Sequence, residues 1–140
     1  MEIRRLTISD LGSAAALLGR FKKRVAEPES LKKYLNSDET YLIGAFDESD
    51  PVGIAIAYLL PRGDTARPMM YLHDIEVARS HRRKGIARRM IQLLLEECRR
   101  HKAYKMFVIT AWSNQAAVRL YEATSGRRLP DSDSVFEYQI

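Results

Sequence analysis

The sequence predicts a mixed α/β domain of the α+β kind: one sheet with helices packed on its faces. Three observations lead there. Six strand-like stretches and four helix-like ones follow one another in the order β-α-α-β-β-β-α-β-α-β, which calls for a mixed sheet with covered faces. One helix carries an unmistakable apolar stripe. Turn-forming residues separate the elements, with no repeat, low-complexity tract or linker between them. At 140 residues the length suits one domain, residues 1–140, with no second core.

Ile3 to Thr7 alternates like a strand. Ser9 is a suitable N-cap for a helix that carries Leu11, Ala14, Ala15, Leu18 and Val25 at helical spacing. Pro28 opens a second, short helix over Glu29 to Leu35. Tyr41 to Phe46 and Pro51 to Leu60 read as strands joined by the turn Asp47-Glu48-Ser49-Asp50, and Arg62 to Pro68 as a loop. Met69 to Val77 is more informative. Its apolar residues fall on even positions at Met70 and Leu72, then on odd ones at Ile75 and Val77. Strand side chains alternate with period two, so the change of phase points to a bulge near His73 and Asp74, or else to a strand covered on both faces.

Further along, Ala87, Met90, Ile91, Leu94, Leu95 and Cys98 form the apolar stripe, opposite Arg88, Arg89, Gln92, Glu96, Arg99 and Arg100. Lys105 to Ala111 is the next strand, Asn114 to Ala123 a short helix, and Val135 to Ile140 a closing strand.

Composition narrows the function classes. Apolar residues make up 46%, which is globular rather than disordered. A single cysteine, Cys98, leaves no internal disulfide and suits a reducing compartment. The start, Met1-Glu2-Ile3-Arg4-Arg5, has no basic-then-apolar leader, and the longest apolar run, Ile54 to Leu60, is too short to span a bilayer as a helix. A cytoplasmic location is expected, with no membrane partner. The net charge of +5 is unevenly spread: six Lys/Arg and His81 crowd into the eleven residues from Arg79 to Arg89. That is a local anion site or a solvated basic face, not a stripe that tracks nucleic acid. No aromatic residue interleaves those charges, so no nucleic-acid partner is expected.

The chemistry concentrates where the strand ending at Val77 runs through Arg82-Arg83-Lys84-Gly85-Ile86-Ala87 into the striped helix. A helix N-terminus offers unpaired N–H groups and the positive end of a dipole, which suit a phosphate. Gly85 lets the backbone approach the ligand, and Ala87 keeps the first turn uncrowded. Asp74 and Glu76, two apart on a strand, project from one side. His73, His81, His101 and Cys98 have no metal-ligand spacing, and no metal is expected.

Arg82-x-x-Gly85-x-Ala87, after Asp74-Ile75-Glu76-Val77 and before an amphipathic helix, resembles the acetyl-CoA signature of the GNAT superfamily of N-acetyltransferases. Asn114, followed by Ala117-Val118-Arg119-Leu120-Tyr121-Glu122, resembles that family's second motif. Ala57 to Arg62, Met70 to Ile75 and Ser80 to Ala87 are similar to the aminoglycoside 3-N-acetyltransferases of the GNAT type. Those enzymes carry an acidic residue on the central strand where Asp74 stands. Two positions depart from the pattern. Ser125-Gly126 places the glycine one residue later than the family does, and Glu137 and Gln139 flank the place where an acidic residue would meet the antibiotic.

The resemblance implies a central sheet of six to seven strands splayed at the middle, flanked by about four helices. It implies an N-acetyltransferase with acetyl-CoA as co-substrate, a homodimeric assembly, and direct attack by the amine in a ternary complex. Ile75 and Val77 would pair with the pantetheine arm, and the amides of Arg83, Lys84, Gly85, Ile86, Ala87 and Arg88, beside Arg82, would hold the pyrophosphate. Asn114 would contact the cofactor, and Tyr121 would reach the thioester sulfur. A departing thiolate needs a proton or a hydrogen bond, and a phenol supplies either; core packing against Val118 is the other role open to Tyr121.

An amine acceptor arrives mostly as an ammonium ion and must lose a proton before it attacks. Asp74, at the expected bulge, is the base or substrate anchor, with Glu76 in reserve, unless both are solvated strand charges. The Ile75 N–H would meet the developing oxyanion. Glu137 is a further substrate contact, and acidic loops at Asp47 to Asp50, Asp64 and Asp131 to Asp133 are available to a polycationic sugar. Cys98 lies on the buried stripe and belongs to the core. The acceptor expected is an aminoglycoside amine; another amine acceptor, or an acyl-CoA-binding module without activity, remains the alternative.

Overall fold

The computed structural model describes residues 1–129 and 135–140. Its strands are β1 (Glu2–Arg5), β2 (Thr40–Asp47), β3 (Asp50–Leu60), β4 (Met69–Val77) and β5 (Lys105–Val108). Its α-helices are α1 (Leu11–Lys22), α2 (Pro28–Leu35), α3 (Ile86–Arg100) and α4 (Gln115–Ala123), with 3₁₀ turns at Ile8–Asp10 and Arg79–His81. The strands form one sheet in the order β1-β2-β3-β4-β5; the first four are antiparallel neighbours, and β5 runs parallel to β4.

Alternation along the central strands divides the core in two. Leu42, Phe46, Ile54 and Ile56 face α1 and α2, where they meet Ala14, Leu17, Leu31 and Leu35. Tyr41, Ile43, Ala45, Ala55, Ala57 and Leu59 face α3 and meet Ile86, Met90, Ile91, Leu94 and Cys98. Each buried Leu, Ile or Met contributes roughly 1.5–3 kcal/mol, so the apolar stripe of α3 is the main anchor of that helix. The sheet also admits α3 closely at its N-terminal end. A Cβ on Gly53 would lie 3.2 Å from Ile86 and 3.3 Å from Met90. The glycine therefore sets how near the start of α3 lies to the strands.

The change of phase in Met69–Val77 is a bulge. Ala57 pairs with Leu72 and Ile56 with Asp74, so His73 is the extra residue. Met70 and Leu72 face α3 before it, and Ile75 and Val77 pack on the same cluster after it. Asp74 and Glu76 consequently stand on the α1–α2 face.

Three expectations are corrected. The first helix begins after a capping box between Thr7 and Asp10 that encloses a 3₁₀ turn, so Ser9 is not its N-cap; the Thr7 N–H donates to Asp10 Oδ2 at 2.8 Å. That helix stops at Lys22 because Lys23 is left-handed (φ 58°), which leaves Val25 outside it and 99% exposed. Residues 135–140 form no strand, so the described residues hold five strands rather than six or seven. Val135, Phe136, Tyr138 and Ile140 are 69 to 118% exposed. They have strand composition, but a strand also needs a neighbour to complete its hydrogen bonds, and these residues have none among the described residues.

The displaced glycine after α4 also has a physical reading. Gly126 N donates to Tyr121 O at 2.8 Å and Ser125 N to Glu122 O at 3.1 Å, the paired bonds of a Schellman cap. The left-handed residue of that cap is Ser125 (φ 70°), the position where glycine is usual. Ser125→Gly is expected to stabilise the protein by about 1 kcal/mol, visible as a Tm raised by several degrees. A lowered Tm in thermal unfolding would contradict the left-handed cap.

Candidate active site

The ladder from β4 to β5 ends at Leu72 and Val108. Beyond it, His73 to Val77 keep β3 on one side and have no strand on the other, among the described residues. This is the splay in the sheet, and it leaves Ile75 and Val77 with an open edge. The two are not equally free. Arg82 Nε donates to the Val77 carbonyl at 3.1 Å, so that guanidinium holds the end of the strand.

From Val77 the chain passes through the 3₁₀ turn to the exposed residues Arg82, Arg83, Lys84 and Gly85. Two left-handed residues shape this loop, Arg83 (φ 61°) and Gly85 (φ 78°). Arg83 adopts that conformation without the freedom glycine has, a strain of about 1–2 kcal/mol. Gly85 is the N-cap of α3, and no side chain caps the helix. The first amides of α3, at Ile86, Ala87 and Arg88, therefore lack intrahelical partners at the positive end of the helix dipole. A Cβ on Gly85 would meet nothing within 4 Å, so the space before those amides is open. An open cradle of N–H groups flanked by Arg83, Lys84 and Arg88 fits a diphosphate. Beside it, His81 Nε2 contacts Asp47 Oδ2 at 2.9 Å, and this hydrogen bond draws the Asp47 carboxyl below the usual carboxylate range.

Helix α4 follows β5 and packs on the α3 side of the core through Leu120 and Tyr121. Asn114 is its N-cap, with Oδ1 accepting from the Ala117 N–H at 3.1 Å. That bond positions the helix and uses only Oδ1, so the cofactor contact expected of Asn114 would fall to its amide nitrogen. Tyr121 is half-buried and packs against the cluster beneath α3. Burial raises its phenol above the ordinary tyrosine value, so at neutral pH it keeps its proton and acts as a donor. Both roles read for Tyr121 are thus compatible, packing through the ring and donation through the hydroxyl. Cys98 is buried, and burial pushes its thiol up to about 11. A thiol held neutral in the core is no nucleophile.

On the other face of β4, Asp74 and Glu76 lie side by side and share a cation that sequence reasoning missed, Lys22 at the end of α1. Lys22 Nζ contacts the Asp74 carboxylate and lies 2.8 Å from Glu76 Oε2. These three side chains are 30%, 25% and 44% exposed, so they lie at the surface rather than in the core, and Lys22 borders a cleft. The cleft opens between α1 and α2 as a cavity of about 590 Å³, bordered by Phe21, Lys22, Glu27 and His73. His73, at its border, belongs to an aromatic cluster on the sheet. The Tyr71 hydroxyl contacts His73 Nδ1 at 3.2 Å, Tyr58 meets the His73 ring edge-on at 6.1 Å, and Tyr71 stacks on Phe107 at 5.0 Å.

Three of the other acidic residues expected near a substrate are paired. Asp50 binds Arg20 at 2.8 Å, Asp64 binds Arg62 at 2.6 Å, and Asp47 binds His81. Asp131 to Asp133 lie outside the described residues. Glu137 is exposed in the segment 135–140, which is not a strand. Trp112 is 51% exposed beneath the Arg128 guanidinium, 3.6 Å from its ring centroid. No cluster of metal-ligating side chains occurs among the described residues, nor any helix long and apolar enough to cross a membrane.

Several solved structures share this architecture. An aminoglycoside acetyltransferase from an uncultured soil metagenomic sample, in complex with trehalose, superposes with a TM-score of 0.86 at 23% identity, over 99% of this chain and 95% of that one. A structure of that enzyme in complex with sisomicin gives 0.85 at 22%, over the same shares of the two chains. A ribosomal-protein-alanine N-acetyltransferase from Brucella melitensis biovar Abortus 2308 gives 0.75 at 24%, over 99% and 100%. An aminoglycoside N-acetyltransferase in complex with CoA gives 0.76 at 18%, over 99% and 93%. No curated protein matches the chain significantly by sequence. The model of the acetyltransferase (GNAT) family matches residues 13–126, which include the splayed strand, the Gly85 loop and Tyr121, and the chain belongs to that family of N-acetyltransferases.

Proposed function

We propose that the protein transfers the acetyl group of acetyl-CoA to the 3-amino group of an aminoglycoside, by direct attack in a ternary complex. The observation that carries this reading is the carboxylate pair. Asp74 and Glu76 lie on the face of β4 that opens to the cleft, next to the strand edge that the CoA arm would occupy, and they already hold an alkylammonium. Asp74, beside the bulge, anchors the acceptor ammonium and takes its proton; Glu76 shares the charge. Acetyl-CoA supplies the activated acyl group. The Ile86–Arg88 amides, with Arg83 and Lys84, bind its diphosphate. The Tyr121 phenol, kept protonated by burial, donates to the leaving sulfur.

The aromatic cluster of Tyr58, Tyr71 and His73, which reaches the cleft at His73, supports a ring-bearing acceptor: flat apolar faces bind sugar rings while the carboxylates bind their ammonium groups. Two of the structural relatives are aminoglycoside acetyltransferases, one of them solved with sisomicin, and they share the same fold. A thiol-release assay with acetyl-CoA against aminoglycosides, polyamines and peptides tests the acceptor class. Release with aminoglycosides, and mass-spectrometric mapping of the product to the 3-amino group, is the expected result. Release only with polyamines or peptides would reject the aminoglycoside and keep the acetyltransferase.

A further inference from the structure

Helix α1 ends at Lys22, and the left-handed Lys23 turns the chain away directly afterwards. The last residue of the helix thus sends its side chain across the cleft to β4. Its Nζ lies between the Asp74 carboxylate and Glu76 Oε2, the two groups assigned above to the acceptor ammonium. A lysine side chain ends in the same group as such an acceptor, a primary alkylammonium. Arg20, on the same helix, pairs instead with Asp50 and the Pro51 carbonyl. Lys22 is therefore positioned as a substrate would be, tethered by its own helix.

We propose that Lys22 is an intramolecular acceptor: with acetyl-CoA bound and no external amine present, the enzyme acetylates its own Lys22 Nζ. The inference rests on the reading of Asp74 as the base. Asp74 takes a proton from the ammonium, and the freed lone pair attacks the thioester carbonyl carbon. An N–C bond forms, the C–S bond breaks, and the thiolate takes a proton from Tyr121 or solvent. Acetyl-CoA and a lysine ammonium become acetyl-lysine, CoA thiol and one released proton. The amide product is neutral and no longer neutralises the two carboxylates, so acetylation uncovers the subsite for an external cation.

The test uses the full chain with acetyl-CoA and no acceptor, followed by intact-protein mass and peptide mapping. One acetyl group is expected at Lys22, at a rate per molecule that does not change on dilution of the protein. Exposed Lys32 and Lys33 should follow far more slowly. Asp74→Asn should slow labelling of Lys22 by about 10²-fold or more, since the base is lost while the lysine remains. Lys22→Arg, which keeps the ion pair, should remove the label. Labelling of Lys22 no faster than Lys32, equal labelling in Asp74→Asn, or a rate that falls with dilution would each overturn the proposal. The same samples are assayed on aminoglycosides. Transfer to the drug with Lys22 unlabelled overturns this inference alone; labelled Lys22 without transfer to any aminoglycoside overturns only the acceptor class.

Discussion

Asp74→Asn is expected to lower kcat by about 10²–10⁴-fold while the Kd for coenzyme A stays unchanged, because only the proton acceptor is lost. Asparagine has the same shape as aspartate, so the bulge at His73 and the pairing of Ile56 with position 74 should persist. It carries no charge and accepts no proton, so the acceptor ammonium would remain protonated and unreactive. Lys22 retains Glu76, 2.8 Å away, which limits the structural consequence. Steady-state kinetics with the best acceptor, beside calorimetric titration with coenzyme A, separates the outcomes. An unchanged kcat would remove Asp74 from the mechanism and pass the role to Glu76. Equal losses in kcat and coenzyme affinity would mean that the substitution disturbs the splay itself.

That prediction depends on a feature legible in the sequence by counting alone. Period-two alternation fixes which face each strand residue takes, so the shift from Met70 and Leu72 to Ile75 and Val77 pointed to an inserted residue or a strand covered on both faces, and the pairing with β3 shows the insertion. The α3 stripe was equally legible, since five of its six apolar positions lie within the buried or packed set around Ile86 to Cys98. Such signals are local, and the backbone period translates them directly into geometry.

What the sequence could not show is non-local. Lys22 stands 52 positions before Asp74, and nothing in its neighbourhood marks it apart from Lys23 or Arg24. Its placement depends on where α1 stops, which the left-handed Lys23 decides; helical spacing continued the apolar pattern to Val25. The aromatic cluster is assembled from β3, β4 and β5, with Tyr58, Tyr71 and Phe107 far apart in the chain. The segment 135–140 fails in the opposite direction. Its composition suits a strand, but pairing belongs to the whole sheet, and no neighbour among the described residues completes it. The acidic loops show a related limit: in space Asp50 and Asp64 each pair with an arginine and Asp47 with His81, which the sequence does not display.

Gly85→Asp separates the fold of α3 from its ligand-binding role, and it is expected to weaken coenzyme A binding by roughly 10²–10³-fold. Position 85 is a helix N-cap with φ 78°. Aspartate is among the best N-cap residues and tolerates the left-handed region better than most, so the helix should survive with little change in Tm. A carboxylate there favours the helix dipole just as a phosphate does. It would accept the Ala87 or Arg88 N–H, fill the open space in front of Gly85, and repel the diphosphate. Two like charges about 4 Å apart near a protein surface cost on the order of 4 kcal/mol, which sets the size of the effect. Titration calorimetry with coenzyme A, alongside thermal unfolding, reads both quantities. A variant that keeps its Tm and loses coenzyme binding would place the diphosphate on the α3 amides. If the variant binds coenzyme A like the parent chain, the ligand does not sit at this helix end, and the direction of the reacting thioester toward Asp74 would have to be set by other groups.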